Sequence, residues 1–190
     1  MSNFWSGVIR LTSAFSDRLQ GSAGLLALGL LLGAAPAAAA QAPTPPAGPP
    51  GKTHVMEVMG LAADPATGQP VVILRTKDDK RELTMFIGPF EAQGIALPLQ
   101  GQTLPRPYTH DLMVAMLRQM NATLVKVVIT DLRDNTYFAT LHLRSQGRDI
   151  ELDSRPSDAL ALALRVNAPI LADERVFQRP APAPDRPEGR

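Results

Sequence analysis

The feature that most constrains the fold is a self-consistent strand register between residues 124 and 152. Residues 124–132 and 136–144 alternate apolar and polar side chains and flank Arg133-Asp134-Asn135. A three-residue hairpin loop there sets Ile129 opposite Ala139, Val127 opposite Leu141 and Val125 opposite Leu143, so the apolar faces coincide. Asn135 can take the left-handed conformation that such a loop needs. A second turn at Gln146-Gly147 sets Leu143 opposite Ile150 and Leu141 opposite Leu152. The same register places Arg144 opposite Asp149 and His142 opposite Glu151, and cross-strand pairs of opposite charge each stabilise a sheet by about 0.2–1 kcal/mol. This part of the chain therefore reads as an antiparallel meander.

The flanking segments extend the pattern. Residues 55–61, 71–76 and 82–87 read as three more strands, with a turn at Asp64–Gly68 and another at Asp78-Asp79. Residues 89–99 predict a helix opened by Pro89, weakened by Gly94 and Pro98 and ending near Leu97. Residues 109–120 predict a cleaner one, with Thr109 as N-cap and Asp111 in the first turn. Its stripe of Met113, Met116, Leu117 and Met120 reads as core. The last helix, 156–166, is apolar over most of its circumference, so it is buried either in the core or in a subunit contact. Residues 170–171 form one more short strand. The fold class is α+β: an antiparallel or mixed sheet with about three helices in a single compact domain over residues 52–178.

The ends are of different character. Arg10 and Arg18 precede an uncharged apolar stretch at 23–35, and Ala38-Ala39-Ala40 gives the small-x-small pattern that signal peptidase accepts. Residues 1–40 thus read as an export signal, placing the protein in the periplasm or outside the cell; retained, the segment would be a membrane anchor. Residues 41–51 are a Pro-rich linker, and 179–190 a Pro-rich disordered tail.

Composition removes several functions. With no cysteine there is no disulfide, thiol nucleophile, cysteine zinc site or lipoprotein anchor. Of 19 Lys and Arg, Arg10 and Arg18 precede residue 41; of 18 Asp and Glu, only Asp17 does. Residues 41–190 are therefore neutral overall, unlike a duplex-coating protein. There is no Gly-rich phosphate loop and no Gly-x-Ser-x-Gly elbow.

Two polar constellations remain: His110-Asp111 at one helix start, and Asp153-Ser154-Arg155-Pro156-Ser157-Asp158 where a strand enters the last helix. If these helix starts lie together, they pool carboxylates, an imidazole and a guanidinium. Such a set could hold a hard divalent cation and clamp a phosphate, which suits metal-assisted phosphodiester hydrolysis. The structural alternative stays open, because first-turn acids are common and Arg155 could simply pair with Asp111 or Asp153. No metal-ligand spacing stands out. His54, at the linker edge, reads as solvated, His142 as part of a charged sheet face beside Glu151, and Glu91 as a helix-start acid.

The segments RPYTHDLMVAML (106–117), VVITDLRDNTYFATLHL (127–143) and LDSRPSDALALALRVNAPI (152–170), with IGPFEAQGIAL (87–97), resemble the bifunctional nuclease domain family over residues 54–177. The resemblance implies an oligomeric α+β domain with nuclease activity on RNA and DNA, as known for plant members. Its motif positions fall on Glu91, His110, Asp111, Asp153, Arg155, Pro156, Ser157 and Asp158. In that reading His110 is general base or metal ligand, and Glu91, Asp111, Asp153 and Asp158 hold Mg²⁺ or Mn²⁺. Arg155 stabilises phosphoryl charge, and RNA or single-stranded DNA is the partner. The sequence departs from the family pattern at Asn135, where glycine is usual, and at Gly94 and Pro98. The competing reading is a non-catalytic, homo-oligomeric assembly module of the cell envelope, with the last helix as its contact.

Overall fold

The computed structural model describes residues 51–179; the expected leader, nearly all of the linker and the C-terminal tail lie outside them. Seven strands form one mixed sheet: β1 (Thr53–Ala63), β2 (Pro70–Thr76), β3 (Glu82–Phe86), β4 (Ala122–Arg133), β5 (Thr136–Ser145), β6 (Arg148–Ser154) and β7 (Ile170–Asp173). Their spatial order is β3-β2-β1-β7-β4-β5-β6. Every pairing is antiparallel except β4 with β7. Helices α1 (Pro89–Leu99), α2 (Thr109–Gln119) and α3 (Pro156–Val166) pack on this sheet, and a 3-10 turn (Glu174–Phe177) follows β7. The α+β class holds. The short C-terminal strand is the piece that joins the two meanders.

The β5–β6 register is as the alternation predicts, down to Arg144 opposite Asp149 and His142 opposite Glu151. In the β4–β5 hairpin the loop is tighter than expected. Arg133 pairs with Thr136, and only Asp134 (φ 47°) and Asn135 (φ 62°) make the turn. A bulge between Ile129 and Asp131 then restores Ile129 opposite Ala139 and Val127 opposite Leu141. A second bulge puts Leu124, not Val125, opposite Leu143, leaving Val125 40% exposed. An extra residue in one strand shifts everything beyond it by one position, so bulges absorb mismatches between turn length and apolar pattern.

Helix α3 lies in the core. Leu160 and Leu162 are fully buried, and Ala159, Ala161 and Ala163 let the helix approach its neighbours closely. Burying each leucine contributes about 1.5–3 kcal/mol. This removes α3 as the oligomer contact. The α2 stripe is the reverse case: Met113, Met116 and Met120 are exposed, with Leu112 beside them, while Val114 and His110 face inward. The spacing of that stripe fixed an apolar face but not what covers it. Helix α2 is also capped one residue earlier than expected, at Tyr108, whose backbone N–H donates to the Asp111 carboxylate (2.9 Å). His54 is 3% exposed rather than solvated, enclosed by the β2–β3 turn and the 3-10 turn.

Candidate functional site

Three helix starts meet. Glu91 stands in the first turn of α1, His110 in the first turn of α2, and Arg155 caps α3, where Asp158 is in the first turn. Helix N-termini carry partial positive charge, which favours the two acids there. His110 Nε2 lies 3.1 Å from Asp158 Oδ1. Arg155 donates from Nε to Asp158 Oδ2 (2.6 Å) and from Nη2 to Oδ1 (3.0 Å). Its Nη1 donates to Glu91 Oε1 (2.8 Å). The result is a chain of polar contacts, His110–Asp158–Arg155–Glu91, across elements far apart in sequence.

Two departures from good helix sequence make this possible. A Cβ on Gly94 would lie 2.8 Å from His110 Cε1 and 3.1 Å from Nδ1, so only glycine admits the ring against α1. Pro98 has no N–H to give the Gly94 carbonyl four residues back. That carbonyl instead accepts from Arg165 Nη1 (2.7 Å), which reaches across from α3. Similarly, Gly88 leaves room for the Glu91 carboxylate, which folds back over it.

The remaining expected residues separate. Asp111 binds Arg165 Nε (2.6 Å) through one oxygen and caps α2 through the other, so it holds α2 to α3. Asp153 is exposed on β6, opposite Thr140, with no ion pair among the described residues. Ser157 is buried and Pro156 opens α3. Arg155 pairs with neither Asp111 nor Asp153 but with Asp158 and Glu91. No three carboxylate or imidazole ligand atoms gather here among the described residues. The guanidinium of Arg155 occupies the position between the two acids that a bound cation would take.

The electrostatics follow. Burial pushes the Asp158 carboxyl up, but hydrogen bonds from Arg155 and His110 outweigh it and hold the group below the usual carboxylate range. Arg155 is raised, chiefly by its bond to Asp158, against desolvation. Asp158 as an acceptor places the proton of a neutral His110 on Nε2. Nδ1 is then an acceptor, buried and without a partner.

Beside this chain opens a cleft of about 290 Å³, lined among others by Phe86, Gly88, Glu91, Tyr137, Arg155 and Ser157. His110 and Asp158 are not part of its lining and are linked to it through Arg155. Tyr137 was not foreseen; burial raises its phenol to about 12. A lone tyrosine two residues past a turn carries no signal of a cleft wall. Gly94 and Arg165 were equally hidden, because their roles depend on packing between helices.

A family model described as the bifunctional nuclease domain matches residues 72–183. Uncharacterised proteins from two Mycobacterium tuberculosis strains are 40% identical over 122 residues, covering 64% of this chain and 73% of theirs. Bifunctional nuclease 1 of Oryza sativa subsp. indica is 29% identical over 109 residues, covering 55% of this chain but 33% of that protein.

Proposed function

The chain belongs to the bifunctional nuclease domain family, and we propose that it hydrolyses phosphodiester bonds of RNA or single-stranded DNA in the cleft at the starts of α1 and α3. The observation that carries this reading is Arg155. Its side chain is 63% exposed at the cleft wall, yet its guanidinium is oriented by Glu91 and Asp158. A planar guanidinium held this way can donate two parallel hydrogen bonds to a phosphate and stabilise charge on the transferring phosphoryl group. Glu91 is the carboxylate within the cleft, suited to take a proton from the attacking water. His110, 6% exposed, acts through Asp158 as a positioning residue rather than as the base.

The donor set does not form a closed cage for Mg²⁺ or Mn²⁺. Mg²⁺ can be held by one or two carboxylates together with substrate phosphates, and Glu91 is the cleft residue that would meet it. When bound there, such an ion would polarise the phosphoryl oxygen. A neutral domain binds nucleic acid through few phosphate contacts, which favours unpaired strands with stacking. Phe90, 77% exposed beside Glu91, offers a ring for that.

The test is cleavage of RNA and single-stranded DNA by purified protein with Mg²⁺, Mn²⁺ or chelator, against Arg155→Ala and Glu91→Gln. Cutting that is unchanged in both variants belongs to another site or a contaminant. The exposed α2 face, Leu112, Met113, Met116 and Met120, supports a second reading, self-assembly without catalysis. Light scattering that shows a symmetric oligomer, in protein that cuts neither substrate, would favour it. Export through residues 1–40 belongs to the same proposal, and N-terminal sequencing of protein recovered outside the cytoplasm tests it.

A further inference from the structure

We propose that His54, Asp78 and Asp79 form a divalent-cation site, best matched to Zn²⁺, that is separate from the Arg155 cleft and independent of the nuclease reading. His54 lies on β1, before residue 72 where the family match begins, and the two acids form the turn between β2 and β3. One ligand atom from each residue falls within 4.8 Å of the others. The imidazole is buried, whereas the Asp78 and Asp79 side chains are 56% and 46% exposed, so an ion can enter from the solvent side.

The contacts of the ring carry the argument. His54 has a carboxylate on each nitrogen: Asp78 Oδ2 lies 2.9 Å from Nδ1, and Glu174 Oε2 lies 2.5 Å from Nε2. A neutral imidazole has one N–H. With that proton directed at Glu174, the Nδ1 lone pair faces a carboxylate oxygen, a repulsive contact unless something positive lies between them. Either a second proton or a metal ion meets that need. A carboxylate on the far nitrogen is the usual outer support of a metal-bound imidazole, fixing its tautomer and raising its basicity. Glu174 stands where that support belongs.

The local charge points the same way. Among the described residues, Arg81 is the one guanidinium or ammonium group ion-paired with this set of acids, and it lies 4.2 Å from the centre of the Phe177 ring. Arg81 pairs with Asp79 (2.7 Å) and Glu174 (2.9 Å), and its Nη2 sits 3.0 Å from His54 Nε2. It thus borders both ring nitrogens, at 3.4 Å from Nδ1, while the ion pair of Asp78 is with His54. One nitrogen with carboxylate oxygens suits Zn²⁺ better than the all-oxygen preferences of Ca²⁺ and Mg²⁺. An ion there would tie β1 to the β2–β3 turn.

The experiment uses the full chain, stripped with chelator and titrated with ZnCl₂ by calorimetry and thermal unfolding. One equivalent is expected to bind, with release of protons as the ligands are taken up by the metal. At a hundredfold excess over Kd, the unfolding midpoint should rise by several degrees, since ligands of the native state stabilise it by mass action. The exposed-turn variant Asp78→Asn/Asp79→Asn should lose both effects, while Arg155→Ala should keep them. Nitrogen-15 spectra of the imidazoles should show His54 Nδ1 as the metallated atom. No binding by the wild type, undiminished binding by the double variant, or loss of binding in Arg155→Ala would each overturn the site. None of these readouts depends on nuclease activity.

Discussion

Gly94→Ala tests the packing that brings the three helix starts together. In an exposed helix interior this change stabilises by about 1 kcal/mol, because alanine gives up less backbone freedom than glycine. Here the new methyl would meet His110 Cε1 at 2.8 Å. Ordinary contact begins near 3.4 Å, so the ring must retreat by about 0.6 Å or the helices must part. The ring has little freedom: it stacks on Tyr108 with centroids 6.0 Å apart and is tied to Asp158 at 3.1 Å. Overpacking of a filled site destabilises by about 1–3 kcal/mol. Moving Nε2 beyond hydrogen-bond range from a carboxylate adds about 1.5–3 kcal/mol. Against the propensity gain, we expect a net loss of about 1–3 kcal/mol, partial relaxation keeping it below the full sum. Urea unfolding measures it as a lower midpoint at unchanged slope. In a His110→Ala background the clash is absent, and Gly94→Ala should then be neutral or stabilising. Equal effects in the two backgrounds, or a gain in the wild-type background, would refute the contact.

Asp111→Asn should destabilise by about 1–2 kcal/mol through a weakened cap and a buried Arg165 left without its carboxylate, with little change in cleavage chemistry; a large kinetic effect at full stability would contradict its structural role. Asp173 is buried, and although desolvation pushes its carboxyl up, Arg175 and the backbone amides of Arg175 and Gly51 hold it below its usual value. A lowered carboxyl contributes stability that is complete above its unfolded value of about 3.9 and is lost as pH falls through the folded value. Asp173→Asn should therefore flatten the acid limb of a stability–pH curve below about pH 4 and leave its shape near neutrality unchanged. Charging the α2 face with Met116→Glu/Met120→Lys should leave the unfolding midpoint within about 0.5 kcal/mol of wild type. If α2 is the assembly face, light scattering should record a shift to monomer; an unchanged oligomer would remove it from that role.

The strand pairs of the β5–β6 ladder were legible because they depend on alternation over a few residues and on one short turn. The β4–β5 pairing was legible in its centre but not at its ends. Two apolar runs can be kept face to face by a longer loop or by a tight turn plus a bulge, and side-chain patterning does not distinguish these. The helices were visible from Pro89, Asp111 and Pro156. The meeting of His110 with Asp158 was foreseen as a condition on helix placement, and the geometry meets it.

Other features have no local signature. Asp111 reads from the sequence as a metal ligand alongside Asp158, but adjacent residues on a helix point about 100° apart, and Asp111 pairs with Arg165 while His110 meets Asp158. Gly94 and Pro98 looked like faults in α1, yet one admits an imidazole from α2 and the other frees a carbonyl for α3. His54 looked solvated because the groups that enclose it arrive from residues 78–81 and 174–177. Amino-acid order alone specifies elements, faces and most register, since these follow from backbone periodicity and side-chain size within a few positions. Which faces are covered, and which charges meet, depends on the insertion of β7 between β1 and β4 and on the packing of three helix starts, both set by contacts between residues dozens of positions apart.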